Sequence, residues 1–250
     1  MNPFNLKNKT ILITGASSGI GKACAIACDE LGASLVLMGR DLRRLKITRD
    51  SLNGTNHSTI DVDLTKSDEL KTKINNFLKT AKPIDGIINS AGVSTTYPFK
   101  ILKPPKINEV LDINVTSNFY LTKLLLGKLN KNGASIIFMS SVMASHGEKG
   151  KTIYSMSKGA ISSGARSLAI ELADRNFRVN TIAPGIVITP MNKNSKYMKD
   201  KKYYKETLNQ YPLGFGSPDD VANLCVFLMS DASKWITGTE IIIDGGFSAK

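Results

Sequence analysis

The stretch TILITGASSGIG, Thr10 to Gly21, decides how the rest of the chain is read. Thr10–Thr14 is a short apolar run rich in β-branched residues, the composition of a strand buried on both faces. Three glycines follow, Gly15, Gly19 and Gly21, in the order G-x-x-x-G-x-G, with Ala16, Ser17 and Ser18 between the first two. Glycine here permits a tight turn and lets another group come close to the backbone. Beyond Gly19, residues Ile20, Cys24, Ala27 and Leu31 recur at three- and four-residue spacing, the stripe of a helix. Strand, glycine turn and helix in this order aim the free N–H groups of the helix N-terminus at the turn. An anion such as a pyrophosphate is the group that suits them.

The same alternation continues along the chain. Further apolar runs lie at Ser34–Met38, Ser58–Val62, Ile84–Asn89, Ser135–Met139, Phe177–Ile182 and Thr239–Ile243. Helical patterns lie between them at Gly19–Leu31, Leu42–Leu52, Ser67–Thr80, Lys106–Leu129, Thr152–Asp174 and Pro218–Met229. Thr65 or Ser67, and Ser217 ahead of Pro218-Asp219-Asp220, offer N-caps. No repeat, linker or composition break divides the sequence. The expectation is therefore a single α/β domain over 1–250, a doubly wound sheet of seven parallel strands flanked by helices on both faces. Such a sheet takes its ligands beyond the carboxyl ends of its strands, so the chemistry should follow each apolar run.

Composition narrows the function classes. The chain has 250 residues, 42% hydrophobic and 22% charged, which excludes disorder and low-complexity fibres. Thirty-three basic residues against 21 acidic ones leave a net charge of +12, but only seven are Arg and the Lys residues are spread widely. That distribution is solvated surface rather than a nucleic-acid footprint. Cys24, Cys28 and Cys225 make no disulfide framework, and with only His57 and His146 beside them no metal site is expected. The N-terminus carries no apolar h-region and no run reaches 18 apolar residues, so the expectation is a cytoplasmic protein with no membrane span.

The second run ends at Met38-Gly39-Arg40. In dinucleotide-binding sheets an acid at this point bonds the ribose hydroxyls of NAD, whereas a basic residue meets the 2′-phosphate of NADP. Gly39 stands where the acid is expected and Arg40 follows, with Arg43 and Arg44 adding to the field. Asp41 reads as the cap of the next helix. NADP(H) is the expected cofactor, with NAD(H) the lesser alternative. Asp63, with the Leu64 backbone beside it, is placed to accept from the adenine amino group, or else simply begins a turn. Asn89, Ala91 and Gly92 end the fourth strand with small residues that let a cofactor lie close to the sheet.

The fifth run ends at Ser140-Ser141; Tyr154 follows, and Lys158 stands four residues later. On a helix these two share a face, so phenol and ammonium point the same way. A nearby cation favours phenolate, which predicts a lowered Tyr154 pKa and a usable acid or base near neutral pH. Ser141, at a strand's carboxyl end, can hydrogen-bond a substrate carbonyl.

Taken together, TGASSGIG, NSAG at 89–92, Asn114 in LDINVTSNF, Ser141 with YSMSK, PGIVITPM, WITG and the closing IDGG resemble the short-chain dehydrogenase/reductase family over essentially the whole chain. The resemblance implies a Rossmann-type fold and a catalytic tetrad of Asn114, Ser141, Tyr154 and Lys158. It assigns Tyr154 the proton transfer, Lys158 the nicotinamide ribose, Ser141 the substrate oxygen, and Asn114 a water that relays protons to Lys158. Gly15, Ser17, Ser18, Gly19, Ile20 and Gly21 would cradle the pyrophosphate. Pro184 and Gly185 would shape the nicotinamide pocket, and Val187 and Thr189 would hold the carboxamide. Ser90 departs from the family's NNAG, and Ala144 stands where many relatives have Gly.

Within the family the chain is most similar to 3-oxoacyl-(acyl-carrier-protein) reductases. That implies a β-keto thioester substrate and an acidic carrier protein met by basic residues. Arg175 matches one such position, while the other falls on Asn132, near Lys128 and Lys131. His146 is expected at the substrate entrance or in a plain loop. The segment of about 190–213 corresponds to the family's substrate lid. Between Asn192 and Glu206 it holds six Lys against Asp200 and Glu206, together with Tyr197, Tyr203 and Tyr204, and Tyr211 follows. The lysines either grip an anionic substrate or form a solvated face over packed aromatics. Tyrosines also suit sugar rings, so the alternative is a reductase or dehydrogenase of a sugar or polyol intermediate, for instance in surface polysaccharide synthesis. A non-catalytic cofactor-binding regulator is the remote alternative, because fold does not dictate function. A homotetramer is the family expectation.

Overall fold

The computed structural model describes residues 2–193 and 195–249. Its strands are β1 (Thr10–Thr14), β2 (Ser34–Gly39), β3 (His57–Asp61), β4 (Gly86–Asn89), β5 (Ala134–Met139), β6 (Phe177–Pro184) and β7 (Glu240–Ile243). The helices are α1 (Gly19–Glu30), α2 (Leu42–Asp50), α3 (Ser67–Leu78), α4 (Pro104–Leu111), α5 (Ser117–Leu125), α6 (Thr152–Glu171), α7 (Lys196–Lys199), α8 (Lys201–Leu208) and α9 (Pro218–Met229).

The strands form one seven-stranded sheet in the order β3-β2-β1-β4-β5-β6-β7. Every neighbouring pair is parallel. This is the doubly wound Rossmann-type architecture that the alternation predicts. Successive residues of one strand serve opposite cores, as the period of two requires. Ile11 and Ile13 join Cys24, Cys28 and Leu45, under α1, α2 and α9. Leu12 joins Leu70, Leu121 and Ile161, under α3, α5 and α6. The chain winds outward to one side from β1 and to the other from β4, so these adjacent strands open a crevice at their carboxyl ends.

Helix ends follow local chemistry. Ser217 caps α9 in a capping box: its hydroxyl accepts from the Asp220 N–H at 3.3 Å, and the Asp220 carboxylate accepts from the Ser217 N–H at 2.7 Å. The expected cap of α3 is not formed, because the Thr65 hydroxyl donates to Asp63 at 2.8 Å and Lys66 takes the cap position. The pattern Lys106–Leu129 is also not one regular helix. A π turn at Asp112–Thr116 separates α4 from α5. A π turn frees carbonyls from the helical ladder. Here the Ser117 hydroxyl donates to Ile113 O at 2.9 Å, and the Asn118 amide donates to Ile113 O at 3.2 Å and Asn114 O at 2.9 Å. A single inserted residue barely disturbs hydrophobic spacing, which is why periodicity does not reveal it.

Phe138 in β5 is 1% exposed and stacks on Phe119 of α5, with ring centroids 4.6 Å apart. Phe138→Ala should cost roughly 3–5 kcal/mol in denaturant unfolding. A loss below about 1 kcal/mol would contradict this packing as a core element.

Candidate active site

The glycine turn lies in the crevice. Gly15 and Gly19 have φ of 67° and 54°, the left-handed region that glycine occupies freely. A Cβ on Gly21 would stand 2.4 Å from Gly15 O, and one on Gly15 would stand 3.2 Å from the Ala91 backbone. Only glycine lets α1, the turn and the end of β4 close together. Ser18 occupies the N-cap of α1, yet its side chain makes no capping bond. Across the turn, Thr189 stands where a Cβ on Gly19 would meet it at 3.4 Å, so the chain leaving β6 roofs the cradle. Ile20 packs against the core beneath. At the end of β4 the Ala91 N–H donates to the Thr14 hydroxyl at 2.9 Å. The buried Asn89 donates to the Thr122 hydroxyl at 3.2 Å, while its carbonyl oxygen has no partner among the described residues. A cradle free of side chains, a helix N-terminus and an unpartnered buried acceptor fit a dinucleotide.

At the end of β2 a Cβ on Gly39 would point toward the Ser17 hydroxyl, 3.7 Å away. Arg40 is exposed beside it. Asp41 is turned away into α2, where it accepts from the Arg44 N–H at 3.1 Å, and the Arg44 guanidinium reaches Ser17 O at 3.4 Å. The rim of the cradle is therefore basic. Asp63 begins a turn, with its Oδ1 accepting from the Thr65 N–H and hydroxyl at 3.0 and 2.8 Å. Burial pushes the Asp63 carboxyl up, but these bonds and the charges of Arg40 and Lys66 hold it below the usual carboxylate range. Leu64 beside it is buried.

At the end of β5, Ser141 starts a 3-10 turn, accepts from the Met143 N–H at 3.2 Å and is hydrogen-bonded to Tyr154. Tyr154 and Lys158 share one face of α6, with the ammonium 5.7 Å from the ring centroid. Lys158 is 6% exposed, and its ammonium donates to Met139 O at 2.7 Å. Burial lowers its pKa from 10.5 to about 8. The expectation of a lowered Tyr154 pKa is corrected: burial raises it, the Ser141 bond only partly opposes that, and Tyr197 raises it further. Removing the phenol from water penalises its anion more than the surrounding groups repay.

Asn114 sits in the π turn. Its amide donates to Val93 O at 3.0 Å and the Ser157 hydroxyl at 2.9 Å, and its oxygen accepts from the Val93 N–H at 2.8 Å. A Cβ on Gly92 would lie 3.1 Å from Asn114 Oδ1 and 3.7 Å from the Lys158 ammonium, so all three converge.

Beyond β6, a Cβ on Gly185 would stand 2.8 Å from the Tyr211 ring and 2.9 Å from Asp244, so Pro184-Gly185 is tightly enclosed. Asn192 clasps the start of the lid segment, donating to Val187 O at 2.7 Å and accepting from the Thr189 N–H at 3.0 Å. Tyr197, Tyr204 and Tyr211 gather around Phe215, with centroids 5.4–6.0 Å apart. Phe247 stacks on Tyr211 at 4.9 Å and meets the His146 ring at 5.6 Å. His146 and Glu148 line a groove of about 520 Å³ with Met143 and Met156. Lys193, Lys199, Lys201, Lys202 and Lys205 are exposed. Arg175 is corrected. It precedes β6, at the end of the sheet remote from Ser141 and Tyr154. There its guanidinium donates to Leu126 O at 2.9 Å and lies over the Phe177 ring at 4.5 Å.

The sequence reading missed Asn118 and Lys151. Lys151 stands before α6, with its ammonium 5.5 Å from the Tyr154 ring centroid. Its position three residues ahead of Tyr154 was the available signal, since residues three apart are neighbours on a helix. Because the native pKa of Lys158 lies below its unfolded value, the unfolded chain binds more protons between about pH 8 and 10.5. The cofactor-free protein should therefore gain stability relative to Lys158→Met as pH rises through that window. A pH-independent difference in melting would contradict the burial of the ammonium.

A family model described as enoyl-(acyl carrier protein) reductase matches residues 15–248. A 3-oxoacyl-(acyl-carrier-protein) reductase of Thermotoga maritima is 33% identical over 97% of this chain and 99% of its own. A glucose 1-dehydrogenase of Gluconobacter oxydans is 32% identical over 96% of this chain and 92% of its own. Among solved structures, one described as an NAD(P)-dependent gluconate 5-dehydrogenase from Beutenbergia cavernae, with NADP bound at low occupancy, superimposes with a TM-score of 0.93 at 28% identity, covering 100% of both chains. The chain belongs to the short-chain dehydrogenase/reductase family of oxidoreductases.

Proposed function

We propose that the chain is an NADP(H)-dependent oxidoreductase that interconverts a carbonyl and a secondary alcohol, and that its substrate is a 3-oxoacyl thioester borne by acyl carrier protein. The observation that carries the reaction is the Ser141 and Tyr154 hydroxyl pair beside the buried Lys158 ammonium, at the crevice that holds the glycine cradle. Bound nicotinamide supplies or accepts the hydride. Gly15, Ser17, Ser18, Gly19, Ile20 and Gly21 cradle the pyrophosphate, and Arg40 meets the 2′-phosphate. Asp63, Leu64, Asn89, Ala91 and Gly92 line the adenosine side. Pro184, Gly185, Val187 and Thr189 enclose the nicotinamide. Tyr154 gives its proton to the carbonyl oxygen or takes it from the alcohol, and Ser141 holds that oxygen. With the cofactor bound, Lys158 would hold the ribose, and its ammonium, 5.7 Å from the Tyr154 ring centroid, would favour the phenolate. Asn114 braces this group and supports the proton relay.

The thioester reading is supported by the likeness to the Thermotoga maritima reductase and by the exposed lid lysines, which suit an acidic carrier protein. The segment 190–213 serves as the lid of one catalytic unit spanning 1–250. A sugar or polyol substrate is the second reading. It is favoured by the three lid tyrosines, with the charge of Glu148 acting on Tyr197 and Tyr211, and by the likeness to glucose 1-dehydrogenase. Tyr154 and Lys158 are both present, which argues against a non-catalytic regulator. Among the described residues no helix is long and apolar enough to cross a membrane. A cytoplasmic homotetramer completes the proposal.

NADPH should bind more tightly than NADH, and Arg40→Ala should reduce that preference roughly tenfold or more, the worth of a charged hydrogen bond. Equal affinities in the parent would refute the role of Arg40. In a panel of β-keto thioesters, keto-sugars and steroids with NADPH, reduction of acetoacetyl thioester is expected, while activity on keto-sugars alone would establish the second reading. Tyr154→Phe should lower turnover by roughly a hundredfold or more, and an unchanged rate would overturn the mechanism.

A further inference from the structure

Tyr154 has two ammonium groups near its ring, and the proposed reaction uses only one. Lys158 is buried and committed to Met139 O at 2.7 Å. Lys151 stands at the N-cap of α6, just ahead of Tyr154. Its N–H donates to Glu148 O at 3.1 Å, which holds the backbone of residues 148–151 in a turn. Its side chain crosses to the segment after β4, where the ammonium donates to the Ser94 hydroxyl at 3.2 Å. The same two segments are joined again by the Tyr97 N–H, which donates to Gly150 O at 2.7 Å. The Lys151 stem thus spans a braced opening rather than waving in solvent.

We propose that Lys151 is a specificity-determining residue, whose ammonium binds a second carbonyl oxygen of the substrate, placed two carbons from the carbonyl that is reduced. This rests on the reading of Tyr154 and Ser141 given above. A substrate whose reacting oxygen sits on those hydroxyls passes beside the Tyr154 ring on its way to solvent. The Lys151 ammonium, 5.5 Å from the ring centroid, is the donor it meets there. An ammonium has three donors, and Ser94 takes one of them. Lys151 enters no salt bridge among the described residues, so its remaining donors are not held by a carboxylate. Burial lowers its pKa and the charge of Glu148 opposes that, which favours a cation stripped of part of its water. Such a donor bonds a neutral acceptor more strongly than a hydrated one does. A 3-oxoacyl thioester carries its thioester carbonyl at the required separation, whereas a simple ketone carries nothing there.

The test compares acetoacetyl-N-acetylcysteamine thioester with S-(3-oxobutyl)-N-acetylcysteamine, the ketone thioether with the same skeleton and arm but without the second oxygen, both reduced with NADPH. Lys151→Met should lower kcat/KM for the thioester by roughly ten- to a hundredfold more than for the ketone, chiefly through KM. Lys151→Arg, which keeps a charged donor, should recover much of the difference. Equal losses on both substrates would show a merely structural residue, and no loss on either would show an idle one. Both results overturn the assignment while leaving the oxidoreductase reading intact. A parent that reduces neither compound, nor any keto-sugar, overturns the reading of Tyr154 and this proposal with it.

Discussion

Seven parallel strands buried on both faces are the constraint on which the rest of this structure depends. Parallel pairing leaves no room for short hairpins, so every return passes through a helix, and each helix has to cover sheet. Ile11 and Leu12, one residue apart, therefore belong to different cores. All carboxyl ends collect along one edge, which is why the glycine turn, Asn89, Ser141 and Gly185 meet although they are far apart in the chain.

The crevice at that edge is closed by contacts that tolerate no extra atoms. Gly21 lies against Gly15 O, Gly15 against Ala91, and Gly185 against Tyr211 and Asp244. The π turn between α4 and α5 is part of the same fit. It presents Asn114 inward to Val93 and Ser157, and Asn118 and Ser117 satisfy the carbonyls it frees. Irregular helical turns of this kind recur at functional sites because they re-aim a side chain without breaking the helix.

Burial also sets the electrostatics. Lys158 is held in a nearly dry environment by one carbonyl, which brings its pKa to about 8, near the working range of a proton-transfer group. The same burial raises Tyr154. The chain alone therefore does not prepare a phenolate.

Most of the architecture was legible in the sequence. Each apolar run lies on a strand, and the glycine turn, the capping box at Ser217 and the Tyr154–Lys158 spacing rest on interactions a few residues apart, which composition and periodicity record. The split of the helix at Asp112–Thr116, the remote position of Arg175, the gathering of the lid tyrosines around Phe215 and the raised Tyr154 pKa were not legible. Each depends on groups distant in the chain: an Asn118 side chain replacing a ladder bond, the direction of β6, aromatic rings drawn together beneath the lid, water excluded from a phenol. Local pattern determines which elements form and which residues line a turn. Only packing decides what each side chain faces, and charge, hydrogen bonding and pKa follow from that.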